Sequence, residues 1–389
     1  MKLLHVITSI NPKTGGTAEA VIRSAQIMTE LGHDVEVASI DAQSCQEHVA
    51  HFPWKTHCLG PGGLGSFNFS KKYQQWMLEN VSRFDAVIIN GLWQHTGFSA
   101  RNACQQRAVP YFVFTHGMLD PWFNKTYPLK KSKKLLYWRW GEYRVLRDAR
   151  SVLFTCEEER LLAMQSFKKY DVTETVVGLG TISPDQTREQ LRNSFSQDRP
   201  KWAKRPYFLF LSRIQEKKGL DLLAEAYARL RAKSPNIPNL VIAGPDSQPS
   251  HSQSIRESHS QDGVSWVGSL HGELKWQALA CAEAMTLISH QENFGIVVAE
   301  SLAVGTPVLI SNKVNIWREV EQYHAGLVSQ DSAQEAYDIL EKWCALNATE
   351  KRTMQDNAQT VFQEHFDMRK TTQTLLQCIE QNIHIGAQR

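Results

Sequence analysis

Short apolar runs alternate with longer amphipathic stretches along most of the chain. Continuous apolar runs bounded by turn residues are typical of parallel strands whose sheet is covered on both faces. The runs predicted as strands are 2–9, 34–40, 85–91, 110–117, 151–156, 174–178, 207–212, 240–244, 264–268, 285–289, 307–311 and 326–329. Amphipathic helices lie between them, so the pattern predicts a doubly wound α/β architecture.

The alternation is interrupted once, by a polar stretch with three prolines. We therefore predict a linker over 181–206, between an N-terminal Rossmann-like domain at 1–180 and a C-terminal one at 207–365. After about residue 330 the pattern is helical, and 366–389 is predicted as a C-terminal helix that could pack back on the N-terminal domain. Open α/β sheets bind ligands beyond the carboxyl ends of their strands, so two facing domains imply a ligand cleft between them.

Composition narrows the class of protein. An apolar content of 42% and a charged content of 21% are typical of a globular chain, and a net charge of +3 gives no argument for nucleic acid as a partner. The seven cysteines show no CxxC spacing, which favours reduced thiols in a cytosolic protein. The first residues resemble a buried strand more than a signal peptide, and no run reaches the ~20 apolar residues of a membrane-spanning helix. We expect a cytoplasmic location.

The strongest chemical signal is ENFGIVVAE at 292–300, directly after the predicted strand 285–289. The first backbone N–H groups of the helix that begins here are unpaired and can hold phosphate or sugar oxygens, and Gly295 permits close backbone approach. Glu300 can accept hydrogen bonds from the two hydroxyls of a ribose, and Glu292 can meet a sugar from the loop. As isolated residues the two glutamates would indicate only a solvated loop position and a charge favoured by the helix dipole. The complete nine-residue pattern at 292–300 favours a functional site over these explanations.

Three further motifs lie at strand ends. Arg213 and Lys218, in SRIQEKKGLDLL, can converge on one anion, although solvation alone would explain either residue. The Gly15-Gly16 pair after the first strand is not a GxGxxG fingerprint, but it still lets backbone approach a ligand. His116 ends a buried strand in FTHGMLDPW, where a structural role and a cleft position are equally compatible with the sequence.

These residues resemble the retaining glycosyltransferases of family 4, which have the GT-B fold of two facing Rossmann-like domains with parallel sheets and an inter-domain cleft. The resemblance extends over essentially the whole chain. The family's E-x7-E element matches Glu292 and Glu300, and its strand-end Arg and following Lys match Arg213 and Lys218. The sequence around His116 is similar to that of the bacterial polysaccharide-assembling members.

The resemblance implies a hexosyltransferase that uses a nucleotide-diphosphate sugar, with UDP favoured by family frequency, and that transfers to a glycan or lipid-linked saccharide with retention of configuration. Glu300 would hold the ribose, Arg213 with Lys218 would neutralise the diphosphate, and Glu292 and His116 would meet the sugar. The other donor-side residues would be Gly15, Gly16, Leu270, Asn293, Phe294, Gly295 and Ile296. Asn293 departs from the common EGFG or EPFG form, which leaves the donor sugar open.

No Asp-x-Asp pair stands convincingly at a strand end, so we predict transfer without a metal or other cofactor. Cationic side chains and helix-start amides would stabilise the leaving diphosphate instead. Two alternatives remain at this stage. A nucleotide-sugar epimerase could share the fold and the diphosphate site. A sugar-binding module is less compatible, because it has no need for an Arg/Lys diphosphate clamp.

The segment 122–150 carries nine Lys and Arg residues against two acids, with seven aromatic residues interleaved. Amphipathic rings suit the lipid headgroup region and basic residues are attracted to anionic lipid, so peripheral contact with the inner face of a membrane is a hypothesis. The alternative is a crossover helix that buries Leu135, Trp138 and Leu146 and leaves its basic face in solvent.

Overall fold

The computed structural model describes residues 1–45, 49–126, 134–197, 199–259 and 262–383. It divides into two compact units. The first comprises Met1–Gly180 together with Met368–Arg389, and the second comprises Thr181–Asp367. Both units are built on a parallel sheet.

The first unit contains a seven-stranded parallel sheet in the order β3-β2-β1-β4-β5-β6-β7. Its strands are β1 (Lys2–Ile7), β2 (Asp34–Ser39), β3 (Lys55–Cys58), β4 (Ala86–Asn90), β5 (Tyr111–Phe114), β6 (Ser151–Phe154) and β7 (Glu174–Val176). Side chains alternate between the two faces: Leu4 and Val6 belong to one buried apolar cluster, and Leu3 belongs to the other. The sheet is therefore covered on both faces, as its continuous apolar strands predict.

Helices cover both faces of this sheet. They are α1 (Gly16–Glu30), α2 (Lys71–Asn80), α3 (His95–Arg107), α4 (Pro121–Thr126), α5 (Tyr143–Arg147) and α6 (Glu157–Ala163), with a π-helical turn at Trp138–Glu142. Tyr73 of α2 and Ala100 of α3 belong to the cluster on one face, and Val21 of α1 belongs to the cluster on the other. A further helix that follows the second unit, defined here as the C-terminal helix (Met368–Ile383), packs against α1 on that second face.

The second unit contains a six-stranded parallel sheet in the order β10-β9-β8-β11-β12-β13. Its strands are β8 (Tyr207–Leu211), β9 (Asn239–Ala243), β10 (Val264–Gly268), β11 (Ala284–Leu287), β12 (Val308–Ser311) and β13 (Gly326–Ser329). Its helices are α7 (Arg188–Gln197), α8 (Leu220–Lys233), α9 (Pro249–Ser258), α10 (Gly272–Cys281), α11 (Ile296–Ala303), α12 (Trp317–Gln322), α13 (Ala333–Ala345) and α14 (Ala348–Val361). The prediction of two Rossmann-like parallel sheets in an α/β chain is confirmed.

The segment 181–206, predicted as a linker, lies within the second unit. Its helix α7 buries Leu191 and Phe195. The guanidinium of Arg188 donates to the carbonyl oxygens of Ala280 at 3.2 Å and Gly305 at 2.7 Å. Proline and polar content mark this stretch in the sequence, but these contacts tie it to the second unit.

Each sheet has a point at which the strand order reverses. In the first sheet β1 lies between β2 and β4, and in the second β8 lies between β9 and β11. The loops that leave the carboxyl ends of such central strands diverge to opposite faces and open a crevice in which α/β proteins bind ligands. The loop with Gly15 and Gly16 follows β1, Arg213 follows β8, and Glu292 follows β11.

Candidate functional site

The loop after β8 turns sharply before it enters α8. A 3-10 turn at Glu216–Lys218 leads to Gly219, which has a φ of +61° and starts the helix. A Cβ atom at Gly219 would stand 1.9 Å from the carbonyl oxygen of Ile288, so the absence of a side chain lets this loop approach the end of β11. The two loops that carry Lys218 and Glu292 are therefore neighbours.

The loop after β11 is pinned on both sides of Glu292 by backbone hydrogen bonds. Its amide donates to the carbonyl of Lys313 at 2.8 Å, and its carbonyl accepts from the amide of Asn315 at 3.0 Å. Gly295 has a φ of +72° and caps the start of α11. The helix thus begins at Ile296 as predicted, and its N-terminal end lies beside the loop.

Glu292 lies among three cationic side chains. It forms an ion pair with Lys218, whose own side chain is buried. Burial would raise the pKa of the Glu292 carboxyl, but the positive charges of Lys218, Lys217 and Arg213 outweigh it and hold the pKa below its usual value. Glu292 is therefore an ionised carboxylate at neutral pH.

Arg213, Leu270, Ile296 and Glu300 line one pocket of about 280 Å³ in the second unit. Ser212, Gly244 and Pro245 from the ends of β8 and β9 complete part of its wall. The pocket thus joins a guanidinium at a strand end, an apolar side chain and the first turns of α11. Lys218, predicted to converge with Arg213 on one anion, is not among these lining residues and pairs with Glu292 instead.

Glu300 is 7% exposed and accepts a hydrogen bond from Lys275 Nζ at 2.5 Å. Lys275 also lines the pocket and was not predicted as a site residue. Its only signal in the sequence is its position in the first turns of the helix after β10, because the pairing depends on how α10 and α11 lie against each other. The carboxylate of Glu300 is thereby charge-compensated at the pocket wall.

The other loop residues have mainly internal contacts. Asn293 Oδ1 accepts from Asn315 Nδ2 at 3.3 Å. Phe294 is buried and packs edge-on against Phe366, with 5.7 Å between ring centroids. These two side chains shape the loop, which leaves the loop backbone as the group that could meet a ligand.

In the first unit, Gly15 has a φ of +118° and directly precedes α1, and Gly16 is the first residue of that helix. An added Cβ at Gly15 would meet no heavy atom within 4 Å. The loop therefore combines a glycine conformation with open space at a helix start, as the sequence predicts.

His116 follows β5 in the first unit and is half-buried. Its ring stacks on Phe114, with 5.1 Å between centroids, and its Nε2 lies 3.2 Å from Asn90 Oδ1. A cavity of about 20 Å³ behind it is lined by His5, Asn90 and Thr372 among others. Burial lowers the pKa of His116 to about 4, so the imidazole is neutral at pH 7.

Part of the basic aromatic segment 122–150, residues 127–133, lies outside the described residues. Trp138 and Leu146 are buried in the described part, whereas Leu135, Leu136 and Trp140 are 49%, 71% and 61% exposed. The crossover-helix alternative therefore accounts for Trp138 and Leu146 but not for Leu135.

The described residues contain no cluster of three or more His, Cys, Asp or Glu side chains that could hold a metal ion. Among their helices, none combines the length and the apolar content that crossing a bilayer requires.

Two family models match the chain. The model described as Glycosyl transferase 4-like domain matches residues 15–177, and the model described as Glycosyl transferases group 1 matches residues 192–361. Together they indicate a glycosyltransferase of the GT-B fold in the family 4-like group. The first match contains β2 to β7 of the first sheet, and the second contains all six strands of the second sheet.

Relatives of known identity agree with this class. D-inositol 3-phosphate glycosyltransferase from Jonesia denitrificans is 31% identical over 130 residues, which is 32% of this chain and 31% of that protein. The match thus spans about a third of that curated relative. Among solved structures, sucrose-phosphate synthase from Thermosynechococcus elongatus superposes with a TM-score of 0.76 at 18% identity, covering 98% of this chain and 99% of that one.

A second solved structure is Anabaena HepE in complex with UDP-glucose. It has a TM-score of 0.74 at 16% identity and covers 98% of this chain and 100% of that one. At these identities the two structures establish the fold, GT-B, and the family models establish the class of enzyme, a glycosyltransferase.

Proposed function

We propose that the chain transfers a hexose from a UDP-sugar to a glycan or lipid-linked saccharide with retention of configuration and without a metal. The observation that carries the proposal is the pocket in which Arg213 and Glu300 meet at the start of α11. A nucleotide diphosphate needs a cation for its phosphates and an acceptor for its ribose hydroxyls, and the pocket offers both. The UDP-glucose bound by HepE is the reason to choose UDP first.

In this proposal Glu300 accepts hydrogen bonds from the ribose, and the ion pair with Lys275 orients its carboxylate. Arg213 contacts the diphosphate from the pocket wall. Lys218 contributes positive charge while it holds Glu292, so a bound phosphate would share Lys218 with that carboxylate. Leu270 flanks the base, as one of the apolar side chains that line the pocket.

The reacting sugar lies in this proposal against the loop 292–296. Glu292 is ionised and can accept from sugar hydroxyls, while the backbone of Asn293, Phe294, Gly295 and Ile296 donates to sugar and phosphate oxygens. His116 and the Gly15-Gly16 loop are the contributions of the first unit, and their roles rest on the family resemblance. The leaving phosphate accepts the proton of the acceptor hydroxyl as the new glycosidic bond forms on the same face, so the protein supplies no nucleophile.

The test is product analysis of the full chain with UDP-, GDP- and ADP-sugars, with and without a saccharide acceptor and with excess EDTA. We expect release of UDP that depends on acceptor, a product with the donor's anomeric configuration, and no loss with EDTA. If an epimerised sugar nucleotide forms with the donor alone, the activity is that of an epimerase and not of a transferase. If chelation abolishes the transferase activity and magnesium or manganese restores it, the proposal of transfer without a metal is wrong.

We also propose that the first unit docks on an anionic membrane, where a lipid-linked acceptor would lie. The docking face is the described surface formed by Leu135, Leu136, Trp140, Arg139 and Arg144. The guanidinium groups of Arg139 and Arg144 lie 5.8 Å and 5.9 Å from the centre of the Trp140 ring. An exposed aromatic ring flanked by cations matches a headgroup region with anionic lipid, to which each cation contributes ~1 kcal/mol.

Sedimentation with vesicles tests the docking face. The wild-type chain should pellet with anionic but not neutral vesicles, and less at high salt. The variant Leu136→Ala/Trp140→Ala should stay in the supernatant. The matched control is Leu64→Ala, since Leu64 is 76% exposed elsewhere in the first unit. Equal pelleting of all three proteins would exclude this face as the membrane contact.

A further inference from the structure

The backbone at His116 has an unusual conformation. Its φ is +47°, in the left-handed region that residues other than glycine rarely occupy. Such a conformation persists only where surrounding contacts over-determine it, and it is concentrated at functional sites. Contacts from Glu159 and Asn90 hold the backbone turn and the ring of His116 in place.

Glu159 of α6 holds the turn on both sides of His116. Its Oε1 accepts from Thr115 Oγ1 and from the Gly117 amide, each at 2.5 Å. Its Oε2 accepts from the Thr155 amide at 2.8 Å and from Thr155 Oγ1 at 2.5 Å. Glu159 is 3% exposed, and its four donors come from the ends of β5 and β6. Only a carboxylate can accept all four at once.

Asn90 at the end of β4 holds the ring. Its Nδ2 donates to the carbonyl oxygens of Ile88 at 3.1 Å and Val6 at 3.3 Å, and also lies 3.3 Å from Nδ1 of His5. These acceptors fix the amide orientation, so Asn90 Oδ1 faces Nε2 of His116. That nitrogen must then carry the proton, because an amide oxygen is only an acceptor. Nδ1 of His116 keeps its lone pair.

We propose that Glu159 and Asn90 are the positioning residues that present His116 to the substrate as a hydrogen-bond acceptor through Nδ1. Glu159 fixes the backbone turn and Asn90 fixes the tautomer. This inference rests on the proposed function, in which His116 meets the donor sugar. It adds that Nδ1 of His116 accepts a hydrogen bond from a sugar hydroxyl. Because the imidazole is neutral at pH 7, it cannot act as a cationic donor there.

The test is ¹⁵N NMR of histidine-labelled full-length protein, with His116 assigned by its loss in His116→Asn. In the wild type, His116 should show one tautomer, with Nε2 protonated and Nδ1 unprotonated, down to about pH 4. In Glu159→Gln the turn should relax, the two nitrogen shifts should move toward a tautomer average, and the pKa should rise toward the ordinary 6.5. The titratable groups that face the site are His5 and Glu159.

Glu157→Gln is the matched control, because Glu157 lies in the same helix and pairs with Arg160 near the surface. It should leave the His116 signals unchanged. If Glu159→Gln does not fold, Asn90→Asp decides, since a carboxylate beside Nε2 should raise the His116 pKa. Wild-type shifts and titration in either folded variant would overturn the proposal.

Activity separates this inference from the proposed function. Glu159→Gln should lower kcat by roughly ten- to a hundredfold with little change in KM for the donor, as expected when a reacting contact is misplaced. If the NMR changes occur but kcat does not fall, the positioning role stands and the assignment of His116 to the reaction fails.

Discussion

Two lysine–glutamate pairs lie at the candidate site of the second unit: Lys218 with Glu292, and Lys275 with Glu300. The spacing of the two glutamates predicts both as functional, and the strand-end pattern predicts Lys218. Lys275 could not be predicted, because nothing in its own helix distinguishes it from a solvated lysine. Only the packing of α10 beside α11 brings its ammonium to Glu300.

Replacing Glu300 should affect binding more than folding. Glu300→Ala removes the acceptor proposed for the ribose hydroxyls and should weaken UDP binding by roughly 1.5–3 kcal/mol, the range for hydrogen bonds to a charged group. Isothermal titration calorimetry measures this directly. Glu225→Ala, at an exposed position of α8, is the control. Unchanged affinity in the Glu300 variant would exclude the ribose contact.

The Lys218–Glu292 ion pair should make the free energy of unfolding depend on pH in the acidic range. The pKa of Glu292 in the folded state lies below its ordinary 4.5. The ionised carboxylate therefore makes its full contribution to the free energy of unfolding above pH 4.5, and this contribution is lost as the pH falls through the folded-state pKa. At pH 7, Glu292→Gln should cost roughly 1–3 kcal/mol in urea unfolding, because Lys218 is left buried without its charge partner. The difference from wild type should shrink below about pH 4.5.

The exposed pair of Lys233 with Glu341 is the control for that experiment. Glu341→Gln should change stability little at any pH, since exposed ion pairs contribute little. A Glu292→Gln cost that is the same at pH 3 and pH 7 would contradict the charge-based explanation.

At the level of elements, the continuous apolar strands were the predictable part. Twelve of the strands coincide with predicted runs, and β3 was missed. Its sequence, KTHC, has no apolar run, because it is an edge strand that pairs only with β2 on one side. The other edge strands, β7, β10 and β13, do carry apolar runs and were predicted, so a strand escapes the hydrophobic pattern only where, as in β3, its edge position is combined with a polar sequence.

The approach of the two loops at Gly219 gives a prediction for one element. Gly219→Ala adds a Cβ into the Ile288 carbonyl, so the loops must separate and both stability and UDP binding should fall. Gly32→Ala is the matched control: Gly32 also has a positive φ, +86°, but open space around it, so it should show only the backbone cost of about 1–2 kcal/mol. Urea unfolding and calorimetry compare the two. Equal costs would show that the close approach is unimportant.

At the scale of the whole molecule, the first unit is discontinuous in sequence. The C-terminal helix buries Leu375, Leu376 and Ile379 in the same cluster as Val21 and Ala25 of α1. The sequence predicts the helix, which could pack back on the N-terminal domain, but it does not identify α1 as the partner, because an apolar face does not identify the surface it packs against. The same limit explains why α7 was assigned to a linker.

A substitution in the C-terminal helix should therefore destabilise β1 and α1, which lie near the N-terminal end of the sequence. Ile379→Ala should cost about 2–5 kcal/mol, and hydrogen exchange should accelerate in β1 and α1. Leu340→Ala in α13, also buried, should instead accelerate exchange in the second unit. Faster exchange confined to the C-terminal helix would contradict its role in the core of the first unit.

The discontinuity also sets an order for synthesis on the ribosome. Residues 181–367 emerge as a complete unit before the helix that finishes the first unit has been translated. Val21, Ala25 and Met28 of α1 must therefore wait for Leu375 and Ile379 until the second sheet can already have formed. The unit that is begun first is completed last, and during that interval an apolar helix face stays open to chaperones and to other nascent chains.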